Sequence, residues 1–288
     1  MNCRKCGRKA AVNLKAYGIS LCEKCYIEFY KNIVKKSIKR FRILNQDERI
    51  LTAVSGGKDS SAMAAVLKEL GYDIELLYID LGIGSYSKES ENAVRELSKN
   101  LDLKLNVVRL KDYGFTIDDV AEKMRRKTCS ACGIAKRYIM NRFGRENDFD
   151  VIATGHTAED MVSFYIKNLA GGAKVWAEKL MPRNDPFDER VVARAKPLFE
   201  MSEKENMLYV IIGNIPYTHA ECPHAPEPEW KEIVYEVERR KPGFVKNFLR
   251  GLVRPAEWFE KISYCKICGE VASSEICAFC RLKERLES

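Results

Sequence analysis

The sequence contains no uninterrupted run of 18 apolar residues and no low-complexity segment. Because a helix that crosses a bilayer needs about 20 predominantly apolar residues, we expect no membrane-spanning segment. A cysteine motif begins at Cys3, where a secretory signal would need a long apolar stretch, so we also expect no signal peptide. The sequence therefore predicts a cytoplasmic protein, and its 288 residues suffice for one α/β core with small additions.

Eleven cysteines divide into three groups along the chain. Since a reducing compartment keeps thiols free, this number indicates metal binding or catalysis rather than a disulfide framework. The first and last groups each contain two C-x2-C pairs, a spacing that is typical of closed four-cysteine zinc sites. These two sets are Cys3, Cys6, Cys22 and Cys25, and Cys265, Cys268, Cys277 and Cys280. We therefore expect two structural Zn²⁺ ions, one in a ribbon at each end of the sequence.

Short apolar runs alternate with helix-like segments through the middle of the chain. The runs at residues 50–54, 74–79, 105–110 and 151–154 are nearly unbroken, which is typical of strands buried on both faces of a parallel sheet. Segments such as 61–70 and 89–101 have helical periodicity. This alternation predicts an α/β fold with a doubly wound parallel sheet. Further helices are expected at 202–212, at 229–240, and from the break at 241–243 to about residue 252.

A glycine-rich turn follows the first core strand and opens a helix. Its residues are Ser55, Gly56, Gly57, Lys58, Asp59, Ser60 and Ser61. The glycines let the backbone approach an anion, and the free N–H groups at the start of the helix point towards it. Lys58 adds positive charge and the serine hydroxyls can donate, so the turn suits a phosphate. The spacing differs from the Walker pattern and resembles the SGGxDS signature of the PP-loop ATP pyrophosphatases.

A second strand end agrees with this resemblance. Gly155, His156 and Asp160 follow the run at 151–154 and resemble the GHxxDD segment found opposite the phosphate loop in this group. Asp160 keeps the carboxylate that would hold Mg²⁺ or the diphosphate, whereas Thr157 and Glu159 stand where members of the group usually have Asn and Asp. A lone histidine at a strand end is more often structural than catalytic, but in this setting both roles stay open for His156.

A third strand end lies at Ile79 and Asp80. Ligands of a doubly wound sheet bind outside the carboxyl ends of its strands, so all three strand ends can face one nucleotide. We expect the backbone of Ile79 to meet the adenine edge and Asp80 to lie close to the nucleotide, although turn geometry alone would also explain the glycines that follow.

The middle cysteines are Cys129, Cys132 and Cys222. A C-x-x-C pair can share a metal, form a redox disulfide or supply two thiols for sulfur handling, and the spacing alone does not choose among these. A helix N-terminus and neighbouring basic residues would stabilise thiolates. Those basic residues are Arg125, Arg126, Lys127, Lys136 and Arg137.

Four features together resemble the tRNA 2-thiouridine synthetases of the two-thiouridine synthetase A and cytoplasmic tRNA 2-thiolation protein group. They are the Cys-x-x-Cys-Gly-x-x-Lys-Arg segment, the distant Cys-Pro pair, the SGGKDS loop and the terminal cysteine pairs. The resemblance covers nearly the whole chain, least well at residues 173–195. It implies an adenine nucleotide alpha hydrolase-like fold, use of ATP and Mg²⁺, and a 4Fe-4S cluster on Cys129, Cys132 and Cys222 with one iron left free. It also associates Lys136 with catalysis.

The expected reaction is adenylation of a uridine 2-oxygen by ATP, followed by replacement of AMP by sulfur. Pyrophosphate would leave towards Mg²⁺ near Asp59 and Asp160, while Lys58 and Lys136 stabilise charge. One alternative is a cluster-free route through a persulfide on Cys129 or Cys222. Another is a non-catalytic RNA-binding scaffold of zinc ribbons. A PP-loop amidating or lysine-transferring enzyme would not need three central cysteines.

Five segments are expected: a zinc ribbon at 1–28, a basic linker helix at 29–48, the catalytic domain at 49–225, a helical extension at 226–260 and a second ribbon at 261–288. The expected partners are tRNA and a sulfur donor, either sulfide or a ubiquitin-like thiocarboxylate protein. A homodimer is a family-level expectation. The sequence does not distinguish the wobble uridine of the tRNA from the T-loop uridine.

Net charge is a weak argument for RNA binding in this chain. The formal charge is +8, but thiolates on two Zn²⁺ ions and one 2+ cluster would lower it to about +3. The argument rests instead on three basic clusters: residues 31–42, residues 125–127 with Arg137 and Arg142, and residues 239–241 with Lys246, Arg250 and Arg254. The interleaved aromatic residues more often belong to a core than to a base-stacking surface. They are Tyr30, Phe41, Tyr138, Phe244 and Phe248.

Overall fold

The computed structural model describes residues 1–124, 128–253, 263–272 and 274–287. Its strands are β1 Val12–Leu14, β2 Ile19–Leu21, β3 Arg49–Ala53, β4 Asp73–Asp80, β5 Leu105–Arg109, β6 Val151–Thr154, β7 Arg183–Asn184, β8 Ala193–Ala195, β9 Ser263–Tyr264 and β10 Val271–Ala272. Its α-helices are α1 Glu23–Phe41, α2 Lys58–Glu69, α3 Gly84–Leu101, α4 Ile117–Met124, α5 Thr128–Glu146, α6 Ala158–Ala170, α7 Lys174–Glu178, α8 Glu203–Ile212, α9 Glu229–Arg240, α10 Phe244–Val253 and α11 Ala278–Glu287.

A six-stranded sheet forms the centre of the larger unit, in the order β5-β4-β3-β6-β8-β7. Every neighbouring pair is parallel except β7 with β8. Ile50, Leu51 and Ile152 of the central strands are fully buried, as strands covered on both faces require. The predicted doubly wound sheet is confirmed, and its switch point lies between β3 and β6, where the phosphate loop and the segment after β6 emerge side by side.

The strands β7 and β8 were not predicted from the sequence. They lie at one edge of the sheet, within and next to the region of weakest resemblance, and contain only two and three residues. Neither has a run of β-branched or aromatic residues, so local propensity gives no signal. Pairing of β8 with the buried strand β6 determines this edge.

Helix α1 shows how the predicted basic helix packs. Tyr30, Val34 and Ile38 are buried along one stripe, and the Tyr30 ring stacks on Tyr209 of α8 with 4.0 Å between ring centroids. The structure thus places Tyr30 in the core, as expected for an aromatic residue at helical spacing. Among the basic side chains, Lys31 forms ion pairs with Glu28 and Glu69.

The chain divides into two compact units, residues 1–249 and 250–288. In the smaller unit, β9 and β10 form an antiparallel hairpin that precedes α11. Residues 125–127 and Arg254, which belong to the predicted basic clusters, lie outside the described ranges, as does the predicted boundary at residues 260 and 261. No helix within those ranges is both long and apolar enough to span a bilayer.

Lys196, which follows β8, gives the fold a testable pH dependence. Its side chain is 9% exposed and its ammonium donates to the carbonyl of Met181 and to Oδ1 of Asn184. Burial, together with the nearby charge of Arg194, lowers the pKa of Lys196 from 10.5 to about 8. Between these two values the unfolded chain binds a proton that the folded chain does not, so stability should rise with pH, by about 3 kcal/mol in total.

We expect the substitution Lys196→Met to remove this rise. Urea denaturation at several pH values between 8 and 10.5 would measure it, with the exposed Lys204→Met as the control for general charge effects. Other tyrosines and lysines titrate in the same range, and the comparison between the two variants subtracts them. An equal pH dependence in both variants would contradict the assignment.

Candidate active site at the carboxyl ends of the sheet

The glycine-rich turn connects β3 to α2 and is held in one conformation by its neighbours. Gly56 has φ +84°, and a Cβ atom there would lie 2.9 Å from the carbonyl oxygen of Ser90 in α3. Ser60 Oγ donates to the carbonyl of Gly57 at 2.9 Å and accepts from the N–H of Ser55 at 3.1 Å. The turn is therefore fixed before any ligand binds.

Three helix N-termini meet at this turn, and only two of them have side-chain caps. Helices α6 and α8 have complete capping boxes, formed by Thr157 with Asp160 and by Ser202 with Glu205. Helix α2 begins after Gly57, which has no side chain to cap it. The hydroxyl of Ser61 is also buried without a hydrogen-bond partner among the described residues. An uncapped N-terminus behind a glycine turn suits a phosphate oxygen.

The segment after β6 packs directly on the turn. A Cβ atom on Gly155 would lie 3.0 Å from the backbone N of Ser60, so glycine is required for this close approach. His156 Nδ1 lies 2.9 Å from Oγ1 of Thr154, and burial lowers the pKa of His156, which favours the neutral ring. The structure thus packs Gly155 on the phosphate loop and gives His156 a hydrogen-bond partner in Thr154.

Asp59 is oriented by a buried polar chain that starts in α1. Tyr30 donates to Oδ1 of Asn206 at 2.7 Å, and Nδ2 of Asn206 donates to Oδ1 of Asp59 at 2.8 Å. Asn206 is fully buried. Since both ends of its amide are used, the asparagine fixes the direction of the Asp59 carboxylate.

The two departures from the usual GHxxDD pattern both have structural roles. Thr157 is fully buried and caps α6 by accepting from the N–H of Asp160. Glu159 is buried and accepts from the N–H of Glu203 at 3.1 Å, which joins the start of α6 to the start of α8. Burial raises the pKa of Glu159 to about 7. Asp160 keeps its carboxylate beside both of these departures.

Charged side chains from four helices gather beside the loop. Lys58 contacts Asp59 at 2.9 Å and Glu203 at 3.2 Å, while Lys231 of α9 contacts Asp160 at 2.6 Å and the other oxygen of Glu203. Burial tends to raise the pKa of Asp160, but the charge of Lys231 outweighs it and the pKa is lowered. The same carboxylates raise the pKa of Lys231 against its burial. Asp160 and Lys231 therefore stabilise each other's charged forms.

Polar and apolar residues line a cavity beside the loop. Ser55 and Lys136 line it together with the strand residues Ala53 and Ile79 and the apolar side chain of Met140. Its position beyond β3 and β4 suits the base and ribose of a nucleotide. Ile79, which was expected to meet the adenine edge, lines this cavity.

Asp80 is held by groups of the protein itself. Its carboxylate accepts from the N–H of Gly82 at 2.9 Å and forms an ion pair with Arg109 at 2.9 Å. In this structure Asp80 fixes the turn after β4.

The three middle cysteines converge although about 90 residues separate Cys222 from the pair. Cys132 and Cys222 pack against the same apolar cluster, which includes Leu81 and Ile139. Cys129 is exposed and its thiol donates to the backbone carbonyl of His224 at 3.0 Å. The pair lies in the first two turns of α5, and Lys136 follows Cys132 by one turn on the same helix.

Burial and the charge of Lys136 have opposite effects on the thiol of Cys132. Burial raises the pKa of Cys132, and the opposing charge of Lys136 is too weak to reverse the shift. Residues 125–127, three of the five predicted basic neighbours, lie outside the described ranges. A buried thiol of raised pKa becomes a thiolate most readily when a metal replaces its proton.

The terminal cysteines have the geometry of zinc sites. In each set the four sulfur atoms lie within 4.8 Å of one another. Cys6 and Cys22 are 3.6 Å apart and Cys268 and Cys277 3.7 Å apart, close to the edge of about 3.8 Å expected for tetrahedral Zn²⁺ with Zn–S bonds of about 2.3 Å. All eleven cysteines are free of disulfides.

Three residues of this site were missed by sequence reasoning: Asn206, Glu203 and Lys231. None belongs to a recognisable motif, and each reaches the loop from helices α8 and α9, far along the chain. The capping pattern Ser202-x-x-Glu205 was a usable signal for where α8 begins. It would not have shown that this helix start faces Lys58.

Comparison with known proteins agrees with this geometry. Residues 28–222 match the PP-loop domain family, and residues 2–27 match the family described as 2-thiouridine synthetase TtuA, N-terminal LIM domain. The tRNA-5-methyluridine(54) 2-sulfurtransferase of Pyrococcus horikoshii is 39% identical, with 98% of this chain and 93% of that protein covered. The protein of the same name from Thermotoga maritima is 35% identical, covering 100% of this chain and 97% of that protein.

A solved structure is also similar along nearly its whole length. It is the U34-tRNA thiolase NcsA from Methanococcus maripaludis with its [4Fe-4S] cluster, which has a TM-score of 0.77 and 29% identity, and covers 99% of this chain and 96% of that one. These matches extend beyond the phosphate loop to the terminal cysteine sets. The chain therefore belongs to the PP-loop family of tRNA 2-sulfurtransferases, enzymes whose nucleotide-binding domain is matched here from residue 28 to residue 222.

Proposed function

We propose that this enzyme adenylates the 2-oxygen of a tRNA uridine with ATP and then replaces that oxygen with sulfur. The observation that carries the proposal is the position of Lys136. It lines the cavity beside Ser55 and Ile79 and also acts electrostatically on the thiol of Cys132. One ammonium thus lies between the nucleotide side and the sulfur side of the site.

The residues suit a two-step exchange. In the first step the uridine 2-oxygen attacks the α-phosphorus of ATP, the bond to the β-phosphate breaks, and pyrophosphate leaves beside Lys58. In the second step a sulfur nucleophile attacks C2 of the base, the C2–O bond breaks, and AMP leaves. Lys136 would stabilise negative charge on the oxygen in both steps, which is charge stabilisation by a prepositioned group. Asp59 and Asp160 supply carboxylate oxygens of the kind that Mg²⁺ prefers.

The middle cysteines fit a 4Fe-4S cluster better than a single zinc ion. Within the described ranges only the two terminal sets bring their ligand atoms within 4.8 Å of one another. Cluster thiolates lie farther apart than zinc ligands because each binds a different iron. Held by Cys129, Cys132 and Cys222, such a cluster would supply one iron with no protein ligand, where sulfur for the transfer can bind. The two terminal sets would hold structural Zn²⁺.

The uridine at position 54 is the proposed target. The relatives at 39% and 35% identity are named for 5-methyluridine 54, and the N-terminal match is to a 2-thiouridine synthetase domain. Tyr138 lies on the cysteine-bearing helix α5, is 54% exposed and receives a hydrogen bond from Arg142 at 3.3 Å. It is a candidate for contact with the RNA. A cytoplasmic location, an external sulfur donor and a homodimer belong to the same proposal.

The test is anaerobic purification followed by metal analysis and a thiolation assay. We expect about four irons per chain with broad visible absorption and about two zincs. With ATP, Mg²⁺, sulfide and a tRNA carrying 5-methyluridine, mass spectrometry of nuclease fragments should find sulfur at position 54, with AMP and pyrophosphate formed in equal amounts. Zinc alone with retained thiolation would favour a persulfide on Cys129 or Cys222. Binding of tRNA without AMP formation would favour the scaffold.

A further inference from the structure

Lys231 contacts the carboxylates beside the phosphate loop, although it lies outside the residues that match the PP-loop domain. The PP-loop match ends at residue 222, whereas Lys231 lies in the first turn of α9. Its ammonium contacts Asp160 at 2.6 Å and also Glu203. The side chain of Lys231 is 25% exposed.

Glu203 connects this ammonium to the lysine of the phosphate loop. One carboxylate oxygen contacts Lys58 at 3.2 Å and the other contacts Lys231. The backbone N–H of Glu203 donates to Glu159 at the start of α6. A carboxylate fixed at its backbone and using both oxygens determines the separation of the two ammonium groups.

The charges at this point fit a magnesium-bound polyphosphate better than a bare one. Three carboxylates, those of Asp59, Asp160 and Glu203, outnumber the two ammonium groups. A divalent cation bound to ATP would coordinate carboxylate oxygens. Both ammonium groups would then be available to bind the phosphate oxygens. Two ammonium groups beside an uncapped helix N-terminus suit the negative charge of a leaving diphosphate.

We infer that Lys231 binds the β- and γ-phosphates of ATP together with Lys58, and that Glu203 is the positioning residue for both lysines. The inference rests on the proposed function, because it assumes that ATP is cleaved to AMP and pyrophosphate at this loop. The C-terminal extension then completes the nucleotide site through α9. The alternative is that Lys231 only holds α9 against α6 through Asp160.

The test compares three ligands that differ in their phosphates. The affinities of ATP, AMP and pyrophosphate, each with Mg²⁺, are measured by calorimetry on the full-length anaerobic protein without tRNA. For Lys231→Met we expect ATP and pyrophosphate to bind roughly ten- to a hundred-fold more weakly, the effect of losing one charged hydrogen bond. AMP, which lacks the β- and γ-phosphates, should bind within about two-fold of wild type.

Two further variants sharpen the result. Lys204→Met removes a positive charge one residue from Glu203 on an exposed position of α8, and should leave all three affinities unchanged. Lys231→Arg should restore most of the ATP affinity, since it keeps the charge. Unchanged ATP affinity in Lys231→Met, or equal losses for ATP and AMP, would overturn the inference. Wild-type protein that binds none of the three ligands would instead contradict the proposed function.

Discussion

Replacing Cys222 with Ala is expected to abolish thiolation while ATP affinity stays within about two-fold of wild type. Cys222 packs on the same apolar cluster as Cys132. With two thiolates left, one of the three protein-bound irons of a cubane cluster would lose its protein ligand, and the cluster is expected to be lost or degraded. Among the described residues the hydrogen bonds of the phosphate loop do not involve Cys222: the N–H of Ser55 donates to Ser60 Oγ, and the carbonyl of Gly56 accepts from the N–H of Thr218.

The measurement pairs 2-thiouridine formation with iron content and ATP binding in the same preparations. Ser130→Ala is a matched control, because Ser130 is exposed between Cys129 and Cys132 and its removal leaves all three thiols. The control should keep its iron and its activity. Retained thiolation in Cys222→Ala would refute a required role for this cysteine, in both the cluster and the persulfide mechanisms that use it. Lost thiolation with full iron content would point to Cys222 as a sulfur carrier.

The central sheet could be predicted because its signal is local. The strand β6 begins and ends as predicted, and β3, β4 and β5 differ from prediction by one residue at some of their ends. Buried parallel strands have continuous apolar runs, and the turns between them contain glycine, so both features are visible in the sequence. The edge strands β7 and β8 were missed because pairing with β6, and not their own residues, makes them strands.

The chemistry of the site was harder to predict than its location. The positions of Gly155 and Ile79 follow from strand ends, which sequence periodicity shows. The environment of Cys132 does not, because its burial depends on packing against residues distant in the chain, and that burial raises its pKa against the effect of Lys136. Lys246 is a similar case: it was assigned to a basic surface, but it is buried and forms an ion pair with Glu205 at 2.8 Å.

Long-range partners explain why Lys231 and Asn206 carried no signal in the sequence. A lysine in an amphipathic helix normally faces solvent, and an asparagine within a helix has no preferred role. Their function comes from neighbours that are 71 and 147 residues away in the chain, Asp160 and Asp59. The motif therefore identifies the loop, while the fold supplies the groups that orient it.

Gly56→Ala is expected to destabilise the enzyme and remove ATP binding together. The new Cβ would lie 2.9 Å from the carbonyl oxygen and 3.0 Å from Cα of Ser90, both rigid backbone atoms of α3. Gly56 also has φ +84°, a conformation that alanine adopts only with strain. Strain and overpacking together should lower the free energy of unfolding by roughly 2 to 6 kcal/mol. The loop would have to move away from α3, and the N–H groups of α2 would no longer face the phosphates as they do now.

The adjacent glycine supplies the matched control for this prediction. Gly57 has φ −78° and ψ 160°, which alanine adopts freely, and its nearest atom to a new Cβ is Ser55 Oγ at 3.7 Å. Gly57→Ala should therefore change the free energy of unfolding by less than about 1 kcal/mol. Chemical denaturation and ATP calorimetry on both variants measure the difference. If Gly56→Ala has the same free energy of unfolding as Gly57→Ala and still binds ATP, the backbone of the loop is not held against α3, and the prepositioned phosphate site would have to form only when ATP arrives.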